Sequence, residues 1–253
     1  ILSEKVTAGL STVAVRMPDH PAALELLRAA GCPVAAPSAN RSGRPSPTRA
    51  EHVLEDLDGR IAAVIDSGPT GIGLESTVVA FDHGQLEILR PGGISAEQLK
   101  QAGFEVVSAF ADDNERSVSD PSTEAPRSPG MKYTHYAPKG RLLLVESDCT
   151  AEGMQKAAGR VQQEVNTAKA AGKRAGVLTY AEHAARYDAD LVISLGPIGD
   201  KNEIARNLYS ALRTCDAKQI EFIAAEYYPG AEGLGSALAN RLFKAAGYHR
   251  IKV

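Results

Sequence analysis

The residues best suited to chemistry run from Ala36 to Thr48, in the order Ala-Pro-Ser-Ala-Asn-Arg-Ser-Gly-Arg-Pro-Ser-Pro-Thr. Hydroxyls at Ser38, Ser42, Ser46 and Thr48, a backbone-exposing Gly43 and the cations Arg41 and Arg44 stand ahead of a helix start. Polyphosphate oxygens need donors held in fixed directions and positive potential, and this run offers both. The same residues suit a polar loop whose Ser and Thr cap turns, and taken alone the run leans that way.

Three more runs strengthen the chemical reading: Thr12 to Pro18 (Thr-Val-Ala-Val-Arg-Met-Pro), Gly73 to Thr77 (Gly-Leu-Glu-Ser-Thr) and Leu89 to Gly92 (Leu-Arg-Pro-Gly). Each sets a charged or hydroxyl residue at a strand end, where side chains of neighbouring strands converge at one rim. Arg16 and Arg90 suit a carboxylate or phosphate, and Ser76 and Thr77 suit an amine or hydroxyl, although each alone also fits a solvated strand end. There is no P-loop, H-E-x-x-H or G-x-S-x-G. The histidines are scattered, and His20 and His52 are expected at helix ends rather than on a metal.

Positioning these residues requires an α/β frame. Alternating β-branched runs predict strands at 12–16, 34–36, 62–65, 77–81 and 86–89. Helices are predicted at 21–30, from a capping box at 48–51 to residue 57, and from a second box at 95–98. This makes residues 1–110 a first domain with a mixed sheet. Residues 111–140, rich in Asp, Ser and Pro, read as a linker. Its end carries Met131, Tyr133, His135 and Tyr136, which are costly in a loop unless they dock on a domain seam or a ligand. From residue 141 onward, short apolar runs at 142–145, 175–179, 191–195 and 220–224 alternate with helical stretches, the pattern of a small doubly wound parallel sheet. The glycines at 230, 233 and 235 have the wrong order and place for a dinucleotide fingerprint.

Composition agrees with two modest domains: 253 residues, 43% hydrophobic and 23% charged. A net charge of -3 gives no global attraction for a polyanion. Cys32, Cys149 and Cys215 are odd in number and far apart, which suits reduced thiols in the cytoplasm. No run is apolar enough to span a bilayer, so no membrane partner is expected. Ile1 opens the sequence without an initiator Met, as if inside a domain.

Together the motifs resemble the Sua5/YrdC/YciO family: Val15 to Pro21, Ala36 to Gly43 with Ser46 to Thr48, Leu74 to Thr77, Ile88 to Gly92, and Ser128 to Met131 with His135 to Pro138. Residues 141–253, including Gly233 to Gly235 and Asn240 to Leu242, resemble the Sua5 domain of the long form. The resemblance implies a YrdC-like domain, a linker and a small Rossmann-like Sua5 domain. It implies synthesis of threonylcarbamoyl-AMP and pyrophosphate from L-threonine, bicarbonate and ATP, with Mg2+ carried by ATP, for the t6A modification of tRNA. By motif, Arg16, Ala36 and Ser76 correspond to threonine contacts. Thr12, Ser38, Ser46 and Arg90 correspond to ATP contacts, Tyr133 and Tyr136 to a linker element over the nucleotide, and Asn40 and Thr77 are further candidates. The implied partners are the threonylcarbamoyl-transferase machinery and tRNA or double-stranded RNA. The Lys-x-Arg and Pro-Gly-Pro-x-Thr segments that precede Val6 to Gly9 in the family are absent, which implies a weakly active chain. The alternative is an RNA-binding module charged by Arg41, Arg44, Arg49 and Lys132, but without aromatic residues interleaved for base stacking.

Overall fold

The computed structural model describes residues 3–7, 9–82, 84–108, 136–230 and 232–253. Met131, Tyr133 and His135, and with them most of the predicted linker, lie outside the described residues.

The N-terminal part contains α1 (Glu4–Thr7), α2 (Pro21–Ala30), α3 (Ala50–Leu57), β1 (Val78–Asp82), β2 (Gln85–Arg90), α4 (Ala96–Gln101) and β3 (Val106–Ser108). β1 pairs antiparallel with β2, and β2 pairs parallel with β3, giving the expected mixed sheet. Its core is small and centres on Leu86, Ile88 and Leu89 of β2.

The predicted strands at 12–16, 34–36 and 62–65 do not form. Those runs are irregular and open, with Val15 89% and Ile65 66% exposed. Their β-branched residues suit a pleated surface, but a strand exists only through a partner's backbone, and among the described residues no ladder reaches them.

The two predicted capping boxes part company. Ser95 Oγ accepts from Gln98 N at 3.3 Å while Ser95 N donates to the Gln98 side chain at 2.8 Å, closing the box that opens α4. At α3 the box is absent: Arg49 takes the N-cap position, and Thr48 N donates to His52 Nδ1 at 3.2 Å. Burial and the Arg213 cation both lower the His52 pKa, so a neutral imidazole accepts this bond. His20 is the N-cap residue of α2, so both histidines sit at helix starts.

The C-terminal part runs β4 (Arg141–Glu146), α5 (Ala151–Ala170), β5 (Ala175–Thr179), a short 3-10 turn at Ala184–Arg186, β6 (Leu191–Ser194), α6 (Lys201–Ala217), β7 (Phe222–Tyr227), α7 (Gly235–Ala245) and β8 (Arg250–Lys252). All five strands are parallel, in the order β6-β5-β7-β4-β8. β4, the first strand of this sheet, lies between β7 and β8 rather than beside β5, so the order departs from that of a dinucleotide-binding Rossmann sheet. The strands are apolar runs because helices cover the sheet. Leu144, Leu178 and Ile223 have no exposed surface. On α5, Ala157, Val161, Val165 and Ala168 form the buried stripe at helical spacing.

The two parts meet where the loop before β1 presses on α6. Gly73 has φ +82°, and a Cβ there would lie 2.4 Å from Arg206 Cα and 2.5 Å from the Ala205 carbonyl oxygen. Only glycine tolerates both the left-handed backbone and this approach. Gly73→Ala should therefore destabilise the protein in urea melts by about 2 kcal/mol or more, and Gly43→Ala by about 1 kcal/mol. The control at Gly43 has φ +85° and open space around the built Cβ. Equal costs at the two glycines would mean that the junction is loosely packed.

Candidate functional site

A polar constellation that joins the two parts lies in this junction and is centred on Glu75. Its carboxylate accepts from Ser46 Oγ at 2.5 Å, Tyr209 Oη at 2.8 Å and Arg241 Nε at 2.8 Å. Ser46 comes from the loop before α3, Tyr209 from α6 and Arg241 from α7, so one carboxylate joins both parts of the chain. Arg90, buried at the end of β2, donates from Nε at 3.2 Å and Nη2 at 2.9 Å to the Ser76 carbonyl. Gly92 makes this possible, because a Cβ there would lie 2.2 Å from Thr77 N.

Tyr136 completes the cluster. Its buried ring lies 5.3 Å from the Tyr209 ring, and the Arg241 guanidinium stands 5.6 Å from its centroid. Its backbone takes the left-handed φ of 66°, which a bulky side chain adopts only under constraint from its surroundings.

Charge follows geometry. Burial opposes ionisation of Glu75, but the Arg241 cation and the Ser46 and Arg241 hydrogen bonds outweigh it and hold the carboxyl below its usual range. Burial, and then Glu75, push the Tyr136 and Tyr209 phenols upward, so both are neutral. Burial and the neighbouring Arg241 lower the Arg90 pKa from its ordinary value.

A second ionic cluster flanks the first. Arg213 Nη2 donates at 2.7 Å both to Asp56 Oδ2 and to the Pro45 carbonyl. Arg44 also pairs with Asp56, and Arg41 N donates to it at 3.2 Å. Lys139 N donates to Asp216 at 2.7 Å. Arg44, read from sequence as a phosphate donor, is thus committed to a buried carboxylate.

Of the residues selected from sequence, Ser46, Arg90, Tyr136 and the backbone of Ser76 come together here. Thr12, Arg16, Ala36 and Ser38 lie exposed on the irregular runs, outside this hydrogen-bonded junction. Asn40 Nδ2 donates to the Arg41 and Arg44 carbonyls at 2.9 and 3.2 Å and so shapes its own loop. Thr77 Oγ1 donates to the Ile94 carbonyl at 2.6 Å and accepts from Ile94 N at 3.0 Å, which ties two loops together. Glu75, Tyr209, Arg213 and Arg241 were not singled out as site residues. The available signal was an arginine on the apolar face of a helix, which Arg213 and Arg241 both are.

Because Glu75 and Asp56 have depressed folded-state pKa values, their contribution is present above the ordinary carboxylate range and is lost as pH falls through the lower folded values. The melting temperature should drop between about pH 5 and pH 2. Glu75→Gln should lower stability at pH 7 by about 3 kcal/mol, by leaving Arg241 buried without its carboxylate, and should shallow the acid slope. An unchanged slope would remove Glu75 from the titrating groups.

Comparison with known proteins extends across the chain. Residues 94–247 match the family model described as "Threonylcarbamoyl-AMP synthase, C-terminal domain", and residues 1–92 match the Sua5/YciO/YrdC model described as "Telomere recombination". The threonylcarbamoyl-AMP synthase of Bacillus subtilis is 48% identical over 97% of this chain and 66% of its own length. That of Pyrococcus abyssi is 42% identical over 100% of this chain and 69% of its own. The crystal structure of P. abyssi Sua5 complexed with L-threonine superposes with a TM-score of 0.85 at 41% identity, again over 100% and 69% of the two chains. This chain spans about two thirds of the length of these relatives, and it belongs to the Sua5/YrdC/YciO family, with the C-terminal domain of the long Sua5 form.

Proposed function

We propose that this chain carries substrate sites of an L-threonylcarbamoyladenylate synthase, which joins L-threonine, bicarbonate and ATP into threonylcarbamoyl-AMP with release of pyrophosphate. The observation that carries the reading is the similarity to threonylcarbamoyl-AMP synthases over 97–100% of the chain, running through every motif that offered chemistry. The threonine amine attacks CO2 and gives up a proton, or attacks bicarbonate with loss of water, to form a carbamate, whose oxygen then attacks the α-phosphate of ATP as pyrophosphate leaves. Fixed cations that meet charge as it builds on the phosphates lower that barrier, and positioning supplies most of the remainder.

In this scheme Arg16, Ala36 and Ser76 bind threonine. Thr12, Ser38, Ser46, Arg90, Tyr133 and Tyr136 bind ATP, the tyrosines as part of a linker that closes over the nucleotide. Mg2+ enters on the triphosphate. The product supplies a threonylcarbamoyl-transferase that builds t6A on tRNA, a cytoplasmic role. Among the described residues no helix is long and apolar enough to cross a membrane. The RNA-module reading is weakened by the pairing of Arg44 with Asp56, which removes one of its cations.

Pyrophosphate release by the protein that carries this chain should require ATP, threonine and bicarbonate together. ATP turnover indifferent to threonine would reject the function. Arg16→Ala should weaken threonine binding about 30-fold, the loss of a charge-assisted pair of about 2 kcal/mol, and change ATP binding by less than about threefold. Calorimetry that finds threonine affinity unchanged would remove Arg16 from the site.

A further inference from the structure

The reading above gives Ser46 to the nucleotide, and the polarity of its hydroxyl decides which nucleotide atom it can meet. Ser46 stands between Pro45 and Pro47, and the Pro45 carbonyl accepts from Arg213 Nη2 at 2.7 Å. A residue held between two prolines has little backbone freedom. Its side chain is held as well, because Oγ donates to Glu75 Oε1 at 2.5 Å and only 8% of the residue is exposed.

A serine hydroxyl has one hydrogen and two lone pairs, whereas an ionised carboxylate has lone pairs alone. Burial opposes ionisation of Glu75, but the Arg241 cation and the Ser46 and Arg241 hydrogen bonds keep it ionised. The one Ser46 proton therefore points at Glu75. Turning it elsewhere would leave a lone pair of a largely buried carboxylate unfilled. Among the described residues nothing donates to Ser46 Oγ, so its lone pairs stay open. A hydroxyl in this state accepts from an N–H or O–H and has no proton for a phosphate oxygen.

We propose that Ser46 meets the nucleotide as an acceptor, reading an N–H or O–H of the nucleoside rather than a phosphate oxygen, and that Glu75 is the positioning residue that sets this polarity. The proposal rests on the assignment of Ser46 to ATP. The run from Ala36 to Thr48, which from sequence offers phosphate donors, is then mixed in polarity. Donation to a carboxylate also polarises Oγ, which makes it a better acceptor.

Calorimetry in EDTA, on the protein that carries this chain, should compare wild type with Ser46→Ala. The ligands are ATP, inorganic tripolyphosphate, threonine, and ATP analogues that each lack one ribose hydroxyl or the adenine amine. Ser46→Ala should weaken ATP about fivefold and leave tripolyphosphate and threonine within about twofold. One analogue, lacking the donor that Ser46 reads, should bind the two proteins alike. Glu75→Gln supplies a readout that a merely structural role would not move. Tyr209 and Arg241 both donate to Oε2, so the amide oxygen of Gln takes that place and the amide nitrogen faces Ser46, freeing its proton. This variant should lose the preference for ATP over that analogue, and the Ser46→Ala comparison stands alone if it fails to fold. Equal loss of ATP and tripolyphosphate in Ser46→Ala would make Ser46 a phosphate donor and overturn the proposal. So would a loss seen only with Mg2+, which gives Oγ to the metal, a loss confined to threonine, or unchanged binding of every ligand. Threonylcarbamoyl-AMP synthesis alongside any of these keeps the proposed function, whereas a wild type that binds no ATP rejects that function and the proposal with it.

Discussion

The Glu75 carboxylate is the constraint on which the remaining geometry depends. A carboxylate largely withdrawn from water is tolerated only when its lone pairs are filled and a cation stands beside it. Ser46, Tyr209 and Arg241 supply those partners from three separate elements. Fixing Glu75 fixes its neighbour Ser76, whose carbonyl then catches Arg90 in a two-pronged hold. Two glycines make room for this arrangement, Gly73 against α6 and Gly92 against the 75–77 backbone. Loss of Arg241 leaves the buried carboxylate without its cation, and loss of Ser46 or Tyr209 leaves one of its lone pairs unfilled, so the junction is registered as a unit.

The two parts of the chain contribute unequally. The C-terminal sheet has a continuous apolar core, and even its buried Glu226 is fully partnered, accepting from Tyr187 Oη at 2.6 Å and Tyr228 Oη at 2.9 Å beside Thr179 and His183. Such a network stiffens the ends of β5 and β7. Among its described residues the N-terminal part has three short strands and a handful of buried apolar side chains. Its loops are positioned from outside, by α6 through Tyr209 and Arg213 and by α7 through Arg241. That dependence gives a physical reason for the C-terminal domain to accompany this site.

How much of this was legible in the sequence varies with the range of the interaction. Apolar runs such as 142–145 and 175–179 became strands because a covered parallel sheet needs nothing else from them. The Ser95 box was legible because both its partners lie within four residues. Residues 12–16 carried an equally good local pattern, but a strand also needs a neighbour's backbone, which composition cannot supply. The box at Thr48 was lost to His52, a competitor for the same amide. β8 was missed because Arg250-Ile251-Lys252 reads as polar and is a strand only through β4. In the site, Ser46, Arg90 and Tyr136 were legible as members of motifs. Their partners were not, because the ties from Arg241 to Glu75 and from Arg213 to Asp56 cross most of the chain and leave no local signature.

The place of β4 in its sheet also has a mechanical consequence. β4 is hydrogen-bonded on both sides, to β7 and to β8, and the chain enters it from Tyr136 through Lys139, itself tied to Asp216, and Gly140, pressed on the Ile220 carbonyl. Tension applied at residue 136 along the β4 axis would load the β4 ladders in shear, with all their bonds resisting together instead of parting one by one. The weaker hold is the packing of the Tyr136 ring against Tyr209 and Arg241. A pull on residue 136 would meet that ring contact before it reached the sheet, so the C-terminal domain serves as the anchorage of this residue.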